Sequence, residues 1–452
     1  MKITQLFRYP LHKKFIPLIG FFLFMASCRQ WAIDPQVELG LILITAIVSF
    51  MVLFIKPIFG IYSVLVISLY FDPKINIGFA NLYLHQWIIL IALMASISSS
   101  LLLQNLLPKV ESEMNFPFIL FIGSILLSLS HAPNFKDGLR WFFYLGVFFG
   151  SYYLFLLSIT EKKQLEIFID ILIFSTFVVC IISLIQKGSG RLGSLVLWNP
   201  NAFGNFLALV IPFCSTFVFY GEIPQRKRSL FMIALIPMFI CLGLTFSRSA
   251  WAGVLVGFFL LNVIKRKFSL AIIFCCFTAI ALLVTPIQKR VFEDINDPGA
   301  QYRKIKAEIA IEKFKAHPII GNGLASFHHE AQYSNIWAYH AHSSLENNYL
   351  LMLAEGGIIE FVAFLFFMFS FLKMAFKSMR KLNNGYLYCV VLGSITSFIS
   401  TLGAGMFEGT LYNPQFNWLA GMLMAGTVVV IKLHTEECNH QKDLSPPDSL
   451  DA

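Results

Sequence analysis

Residues 202–220 read AFGNFLALVIPFCSTFVFY, a run without a formal charge. As a helix at about 1.5 Å per residue it spans about 28 Å, close to the roughly 30 Å of a bilayer's hydrocarbon core. A helix is the form such a run takes in lipid, because it satisfies its own backbone hydrogen bonds where no water is available. Comparable runs extend in both directions: residues 15–28, 37–55, 58–71, 87–103, 117–130, 141–159 and 165–185 before it, and 229–246, 250–264, 269–286, 351–372, 386–406 and 415–433 after it. Several are short for a bilayer, so the expectation is an all-α integral membrane protein of about 12–14 transmembrane helices. Composition agrees, with 57% hydrophobic and 13% charged residues, against roughly 45–50% and about 25% in soluble domains.

The formal charge of +9 raises nucleic acid as a partner, but the basic residues occur in small groups between apolar runs rather than as one stripe. Topology explains them, and no nucleic-acid partner is expected. Lysine and arginine accumulate in cytoplasmic loops. With the N-terminus inside, twenty of the 34 basic residues fall in inner segments, including Lys13, Lys14, Arg226, Lys227, Arg228, Lys265, Arg266 and Lys267. Seven fall in short outer loops and seven in one long outer loop. The expected division is 1–286 for spans one to eleven, 287–345 for a long periplasmic loop, 346–433 for spans twelve to fourteen, and 434–452 for a disordered cytoplasmic tail, with both termini inside.

Two other features have plain readings. Met25-Ala26-Ser27-Cys28 follows a basic start and an apolar stretch, a pattern seen at lipoprotein cleavage sites; a retained first span is the simpler account. The eight cysteines show no metal-ligand spacing, and most lie inside apolar runs as lipid-facing or core filler.

Residues 287–345 break the apolar pattern, and function is expected to concentrate there. Tyr302, Ile305, Ile309 and Phe314 fall near helical spacing while Lys304, Glu308, Glu312 and Lys315 occupy other faces. That predicts an amphipathic helix along the membrane surface, ending before Pro318, with Gly321-Asn322-Gly323 as a turn.

Candidate chemistry lies in two groups. Arg191, Arg248 and Arg303 sit where the outer leaflet ends, and guanidinium forks bind phosphate oxygens in pairs; the alternative is an arginine reaching toward lipid headgroups. Arg248 is the most pointed, since it interrupts two apolar runs. Asn199, Asn201 and Asn205 can donate to sugar hydroxyls or bond between helices. The second group is Tyr339-His340-Ala341-His342-Ser343-Ser344-Leu345-Glu346-Asn347-Asn348. His340, His342 and Glu346 can each accept a proton from an attacking hydroxyl. Ser343 and Glu346 also have capping-box spacing, which gives Glu346 a structural alternative. His340 and His342 lack a third ligand nearby in sequence, so no metal and no cofactor are expected.

The string His317-Pro318-Ile319-Ile320-Gly321-Asn322-Gly323-Leu324-Ala325-Ser326-Phe327, followed by Asn348-Tyr349-Leu350-Leu351-Met352-Leu353-Ala354-Glu355-Gly356-Gly357, resembles the O-antigen ligase and polymerase family. Trp198-Asn199-Pro200-Asn201-Ala202-Phe203-Gly204 and Phe246-Ser247-Arg248-Ser249-Ala250-Trp251 look like two further family segments, in the expected order. The resemblance covers about residues 185 to 370. It implies a metal-independent glycosyltransferase of the bacterial inner membrane that takes an undecaprenyl-diphosphate-linked glycan as donor and a glycan or lipid as acceptor. It further implies that Arg191 and Arg248 hold the diphosphate and that a loop histidine acts as base or orients the acceptor. Ligases of the family show histidine followed by Asn, Ser or Gln, then nine residues and a glycine. Counting back from Gly357 places Glu346-Asn347 there, so the equivalent base is Glu346, with His342 one turn earlier as a substitute. This departure leaves a chain-elongating polymerase, or a ligase for another acceptor, equally open.

A flippase or transporter is the main alternative without bond-forming chemistry. Transporters show paired repeats and ionisable residues near the bilayer midplane. No repeat is visible in this sequence, and Glu166, Asp170, Glu360 and Glu408 are expected near span ends. The cell-wall transglycosylases share the lipid carrier, but none of their motifs is seen.

Overall fold

A computed structural model describes residues 56–70, 72–76, 81–104, 112–188, 190–194, 197, 199–266, 298–327, 345–383 and 385–444. Among them are twelve helices: α1 (Ile58–Tyr70), α2 (Leu84–Gln104), α3 (Asn115–Ser130), α4 (Phe135–Ser158), α5 (Lys162–Ile185), α6 (Pro200–Tyr220), α7 (Gln225–Leu244), α8 (Arg248–Lys265), α9 (Pro298–Ala316), α10 (Asn348–Met379), α11 (Tyr386–Ala404) and α12 (Asn417–Leu444). Nine of these are long and apolar enough to cross a membrane, and α1 and α3 are shorter apolar helices. The protein is an all-α integral membrane protein. The only sheet among the described residues is an antiparallel hairpin of β1 (Lys74–Asn76) and β2 (Asn81–Tyr83), which pairs Lys74 with Tyr83.

Eleven of the fourteen predicted runs fall on helices; 15–28, 37–55 and 269–286 lie outside the described residues, as do Met25–Cys28, Cys275 and Cys276. Two boundaries differ from expectation for identifiable reasons. Helix α4 begins at Phe135, not near 141, because the Asn134 side chain accepts from the backbone N–H groups of Lys136 and Asp137 and so starts the helix in polar sequence. Helix α12 continues through Leu444 instead of giving way to a disordered tail at 434; Glu436 and Glu437 are exposed and are good helix formers.

Two helices form the centre. In α6 and α11, 94% of the apolar window is buried, whereas α7 buries 39% and exposes Leu230, Ile233 and Ile236 on a face suited to lipid. Lipid is as apolar as leucine, so helices associate through close backbone approach and hydroxyl bonds rather than through a hydrophobic drive. Ser397 and Ser400 of α11 donate to the Leu209 and Ala208 carbonyls of α6 at 2.6 and 2.7 Å, and Thr216 donates back to Cys389 at 3.0 Å. Gly253 and Gly257 of α8 lie on α11: a Cβ at Gly253 would meet the Ser400 carbonyl oxygen at 2.6 Å.

Helix α10 is broken at Gly357, whose φ of 64° and ψ of −162° belong to a region open essentially only to glycine. The break frees backbone groups that cannot stay unpaired inside the bundle. Residues 318–323 satisfy them. Ile358 and Ile359 N–H donate to the Pro318 and Ile319 carbonyls at 2.8 and 3.2 Å, while Asn322 and Gly323 N–H donate to Ala354 and Glu355 at 3.1 and 2.8 Å. Gly321 and Gly323 take positive φ of 73° and 93°, and a Cβ at Gly321 would lie 2.2 Å from the Glu355 carbonyl oxygen. Leu324 N–H then donates to Ser128 of α3 at 3.0 Å. The Pro-Ile-Ile-Gly-Asn-Gly string is therefore a backbone clasp on a broken membrane helix.

Candidate functional site

Three helix N-termini meet at one pocket. Helix α6 begins at Pro200 after Asn199, whose side chain accepts from Asn201 N–H at 2.9 Å. Asn199 is thus a cap. One position on, Asn201 faces the pocket: its amide oxygen accepts from the Arg191 guanidinium, and its amide nitrogen donates to Glu408 Oε2 at 3.0 Å. Arg191 Nε also donates to the Thr245 carbonyl at 2.8 Å, which ties the segment before α6 to the turn after α7.

In that turn Phe246 has a φ of 50°, rare for an aromatic residue, and Arg248 follows as the first residue of α8. Trp251 Nε1–H reaches back to the Leu242 carbonyl at 2.9 Å and closes the turn. The approach of α6 to α8 is close. A Cβ at Gly204 would sit 3.0 Å from both Ala250 Cβ and Ser247 Cβ. Asn205 is buried there and accepts weakly from Ser249 at 3.5 Å, so it bonds between helices rather than facing the pocket.

The opposite wall is α9 with the start of α10. Arg303, Lys306, Ala310 and Lys313 recur at helical spacing on α9, and the last three are buried. The inward stripe thus carries buried lysines, beside which Ile309 of the expected apolar set packs against the core, and Lys304, Glu308, Glu312 and Lys315 are exposed. Helix α9 packs on α10, and it ends at Ala316, before Pro318. Arg303 Nε bonds Glu346 Oε2, and Lys306 Nζ lies 3.8 Å from Glu346 Oε1. Helix α10 is capped by Asn347, whose side-chain oxygen accepts from Tyr349 and Leu350 N–H at 2.9 and 3.0 Å. Glu346 consequently precedes the cap and cannot be the third residue of a capping box; the structural alternative offered by Ser343 spacing does not hold. The Asn347 amide also donates to the Met406 carbonyl at 2.9 Å, which fastens the segment carrying Glu408 beside the same helix end.

The pocket has a volume of about 600 Å³, within the usual range of roughly 300–1,000 Å³ for ligand sites. Arg191, Arg248, Arg303 and Lys306 line it against two carboxylates, Glu346 and Glu408, with Phe246, Leu350, Met406 and Phe407 as its apolar part. Excess positive charge and three helix N-termini both favour an anion. Burial pushes the Glu408 carboxyl up to about 7, with the Glu346 charge in the same direction and Arg303, Asn201 and Arg191 opposing. Burial pushes the Lys306 ammonium down, with Glu346 opposing and the Arg303 charge adding to the fall.

The structure brings Arg191, Asn201, Arg248, Arg303 and Glu346 together; His340 and His342 lie outside the described residues. Two lining residues carry no signal in the sequence: burial of a lysine such as Lys306 has no periodicity of its own, and Glu408 reads as a span-end residue that only the fold carries across to Asn201. Glu360, expected near a span end, is instead fully buried within α10, where the Tyr412 hydroxyl donates to it at 3.2 Å. Among the described residues no group of three or more His, Cys, Asp or Glu is placed to hold a metal ion.

Residues 233–384 match the O-antigen ligase family. That match supports the O-antigen ligase and polymerase family for this chain and, with it, an O-antigen ligase-type function in surface polysaccharide biosynthesis, which is an enzyme's function. The O-antigen ligase region contains Arg248, α9, the clasp at 318–323 and the broken helix α10; Arg191, Asn201 and Glu408 reach the pocket from outside it. No curated protein gave a significant sequence match.

Proposed function

We propose that this protein transfers a glycan from undecaprenyl diphosphate to an acceptor hydroxyl on a glycan or lipid, without a metal ion, at the periplasmic face of the bacterial inner membrane. One observation carries the reading: four cationic side chains from three segments converge with three helix N-termini on a single pocket. The anomeric carbon of such a donor is already activated, so the protein has to hold the diphosphate, stabilise its charge as it leaves, and orient the acceptor. Arg191 and Arg248 hold the diphosphate from the transmembrane side, and Arg303 with Lys306 closes over it. Glu346, with His340 and His342 a few residues before it in sequence, lies on the acceptor side.

Orientation has its own support. Asn201 lies at the start of α6, and Tyr220 at its end meets Lys265 of α8 at 5.3 Å. The basic residues expected inside, Arg226, Lys227, Arg228 and Lys265, thus gather at the opposite end of α6 from the pocket. A pocket at one end of the bundle also suits interfacial transfer better than a carrier site at the midplane.

Replacing Arg248 by Ala should abolish surface glycan while the protein stays in the membrane at its normal level. Glycan of normal amount and length in that variant would remove the pocket from the mechanism. Reconstituted protein that moved a lipid-linked sugar across vesicles without forming a glycosidic bond would establish the transporter alternative instead.

A further inference from the structure

We infer that Glu408 is the group that takes the proton from the acceptor hydroxyl, and that Glu346 instead holds Arg303 and Lys306 in place. This assignment rests on the transfer reading above and goes beyond it. Two carboxylates line the pocket, and their surroundings differ. Both oxygens of Glu346 face cations: Arg303 bonds Oε2, and Lys306 lies 3.8 Å from Oε1. Both oxygens are thus already engaged by cations of the loop wall, which leaves neither facing an acceptor hydroxyl alone. Glu408 accepts one hydrogen bond through Oε2, from the neutral amide of Asn201 at 3.0 Å. Its second oxygen meets no hydrogen-bond donor among the described residues, and the residue lines the pocket in which an acceptor hydroxyl would lie.

The charged groups around Glu408 come from every element that packs there: Arg191 before α6, Arg248 on α8, Arg303 and Lys306 on α9, and Glu346 before α10. Burial, with Glu346 adding to it and Arg303, Asn201 and Arg191 opposing, pushes the carboxyl up to about 7, where a general base is most effective close to neutral pH. Phe407, half exposed beside it, adds an apolar surface on which a sugar ring can rest.

The step balances as a single displacement. The acceptor oxygen forms a bond to the anomeric carbon as the bond from that carbon to the diphosphate oxygen breaks. The bonding pair leaves with the diphosphate, and the hydroxyl proton passes to Glu408, which later releases it to water.

The test compares Glu408→Gln, Glu408→Asp, Glu346→Gln and Arg248→Ala, each as the sole copy in membranes of cells that accumulate the lipid-linked donor. Transfer is measured against pH, and binding is measured separately with undecaprenyl diphosphate as the probe. Wild-type transfer should rise with pH through about 7, because the base works when ionised. Glu408→Gln should lose about 10²-fold or more of transfer and keep probe binding within about three-fold, and its residual rate should lack the acid limb. Glu408→Asp should retain partial transfer with the limb moved, whereas Glu346→Gln should weaken probe binding or closure and keep the limb. The inference is overturned if Glu408→Gln keeps wild-type transfer and the limb, if it loses probe binding as well, or if Glu346→Gln is the variant that loses the limb. Loss of probe binding in none of the variants, including Arg248→Ala, would instead count against the diphosphate reading and leave the two failures distinct.

Discussion

The two walls of the pocket are built by opposite means. On the transmembrane wall, Arg191 bonds the Thr245 carbonyl and the Asn201 amide, and Asn201 in turn donates to Glu408. On the loop wall, Arg303 and Lys306 meet Glu346 directly. The first wall sits on helices locked by glycine contacts and hydroxyl bonds, the second on a helix clasped to a broken span. The difference teaches that cations reach this pocket in two ways: one wall sets a guanidinium through neutral carbonyl and amide oxygens, and the other sets its cations through direct ion pairs to a carboxylate.

The largest effect should come from breaking the clasp. A Cβ at Gly357 would lie 2.4 Å from the Ile319 carbonyl oxygen, and the residue's φ and ψ exclude side chains in any case. Gly357→Ala should therefore cost several kcal/mol, on the order of the sum of overpacking and backbone strain, and should collapse the yield of folded protein in detergent. On the transmembrane wall Gly204→Ala meets side-chain atoms at 3.0 Å rather than backbone, so its thermal midpoint should fall less. A Gly357→Ala protein of wild-type thermal stability would show that the loop wall does not depend on the clasp.

Next in size is a matched pair of charge-conserving changes. Arg191 bridges a carbonyl and an amide oxygen from two nitrogens of a planar fork, a spread that the single ammonium of a lysine does not reproduce. Arg191→Lys should lower transfer by about 10-fold or more, whereas Arg303→Lys can still pair with Glu346 and should lose only a few-fold. Equal losses at the two positions would erase the distinction between the walls.

The same contrast marks what the sequence makes legible. Apolar runs announce themselves, so the eleven spans that fall on described helices could be placed from composition and length alone. Arg248 was visible because a charge between two apolar runs is costly, and Arg191 and Asn201 because they stand in strings that carry a family resemblance. The loop wall was harder to see. The spacing of Tyr302, Ile305, Ile309 and Phe314 predicts an amphipathic helix but gives no sign of Lys306 and Lys313, which the structure buries beside carboxylates of other segments. Glu408 lies more than two hundred residues from Asn201, its hydrogen-bond partner, and no local pattern encodes that meeting. The helix break at Gly357 was likewise hidden, since Glu355-Gly356-Gly357 sits inside an otherwise continuous apolar run.

The smallest effect, and the one that separates charge from packing on the loop wall, concerns Lys306. Burial lowers its pKa below the ordinary lysine value, against the pull of Glu346. If its cation helps hold the diphosphate, transfer should fall at alkaline pH earlier than an exposed lysine would allow. Stability should move the other way. A lysine whose folded pKa is depressed destabilises the folded protein while charged, and that cost is relieved as pH rises through the folded value. Wild type compared with Lys306→Met should therefore gain relative thermal stability over the same alkaline range in which it loses relative activity. Lys306→Arg keeps its charge throughout and should remove the alkaline limb, with a loss of about three- to ten-fold at neutral pH from the changed shape. An alkaline limb that persists unchanged in Lys306→Arg would assign the loss to another group and leave Lys306 as packing beneath Glu346.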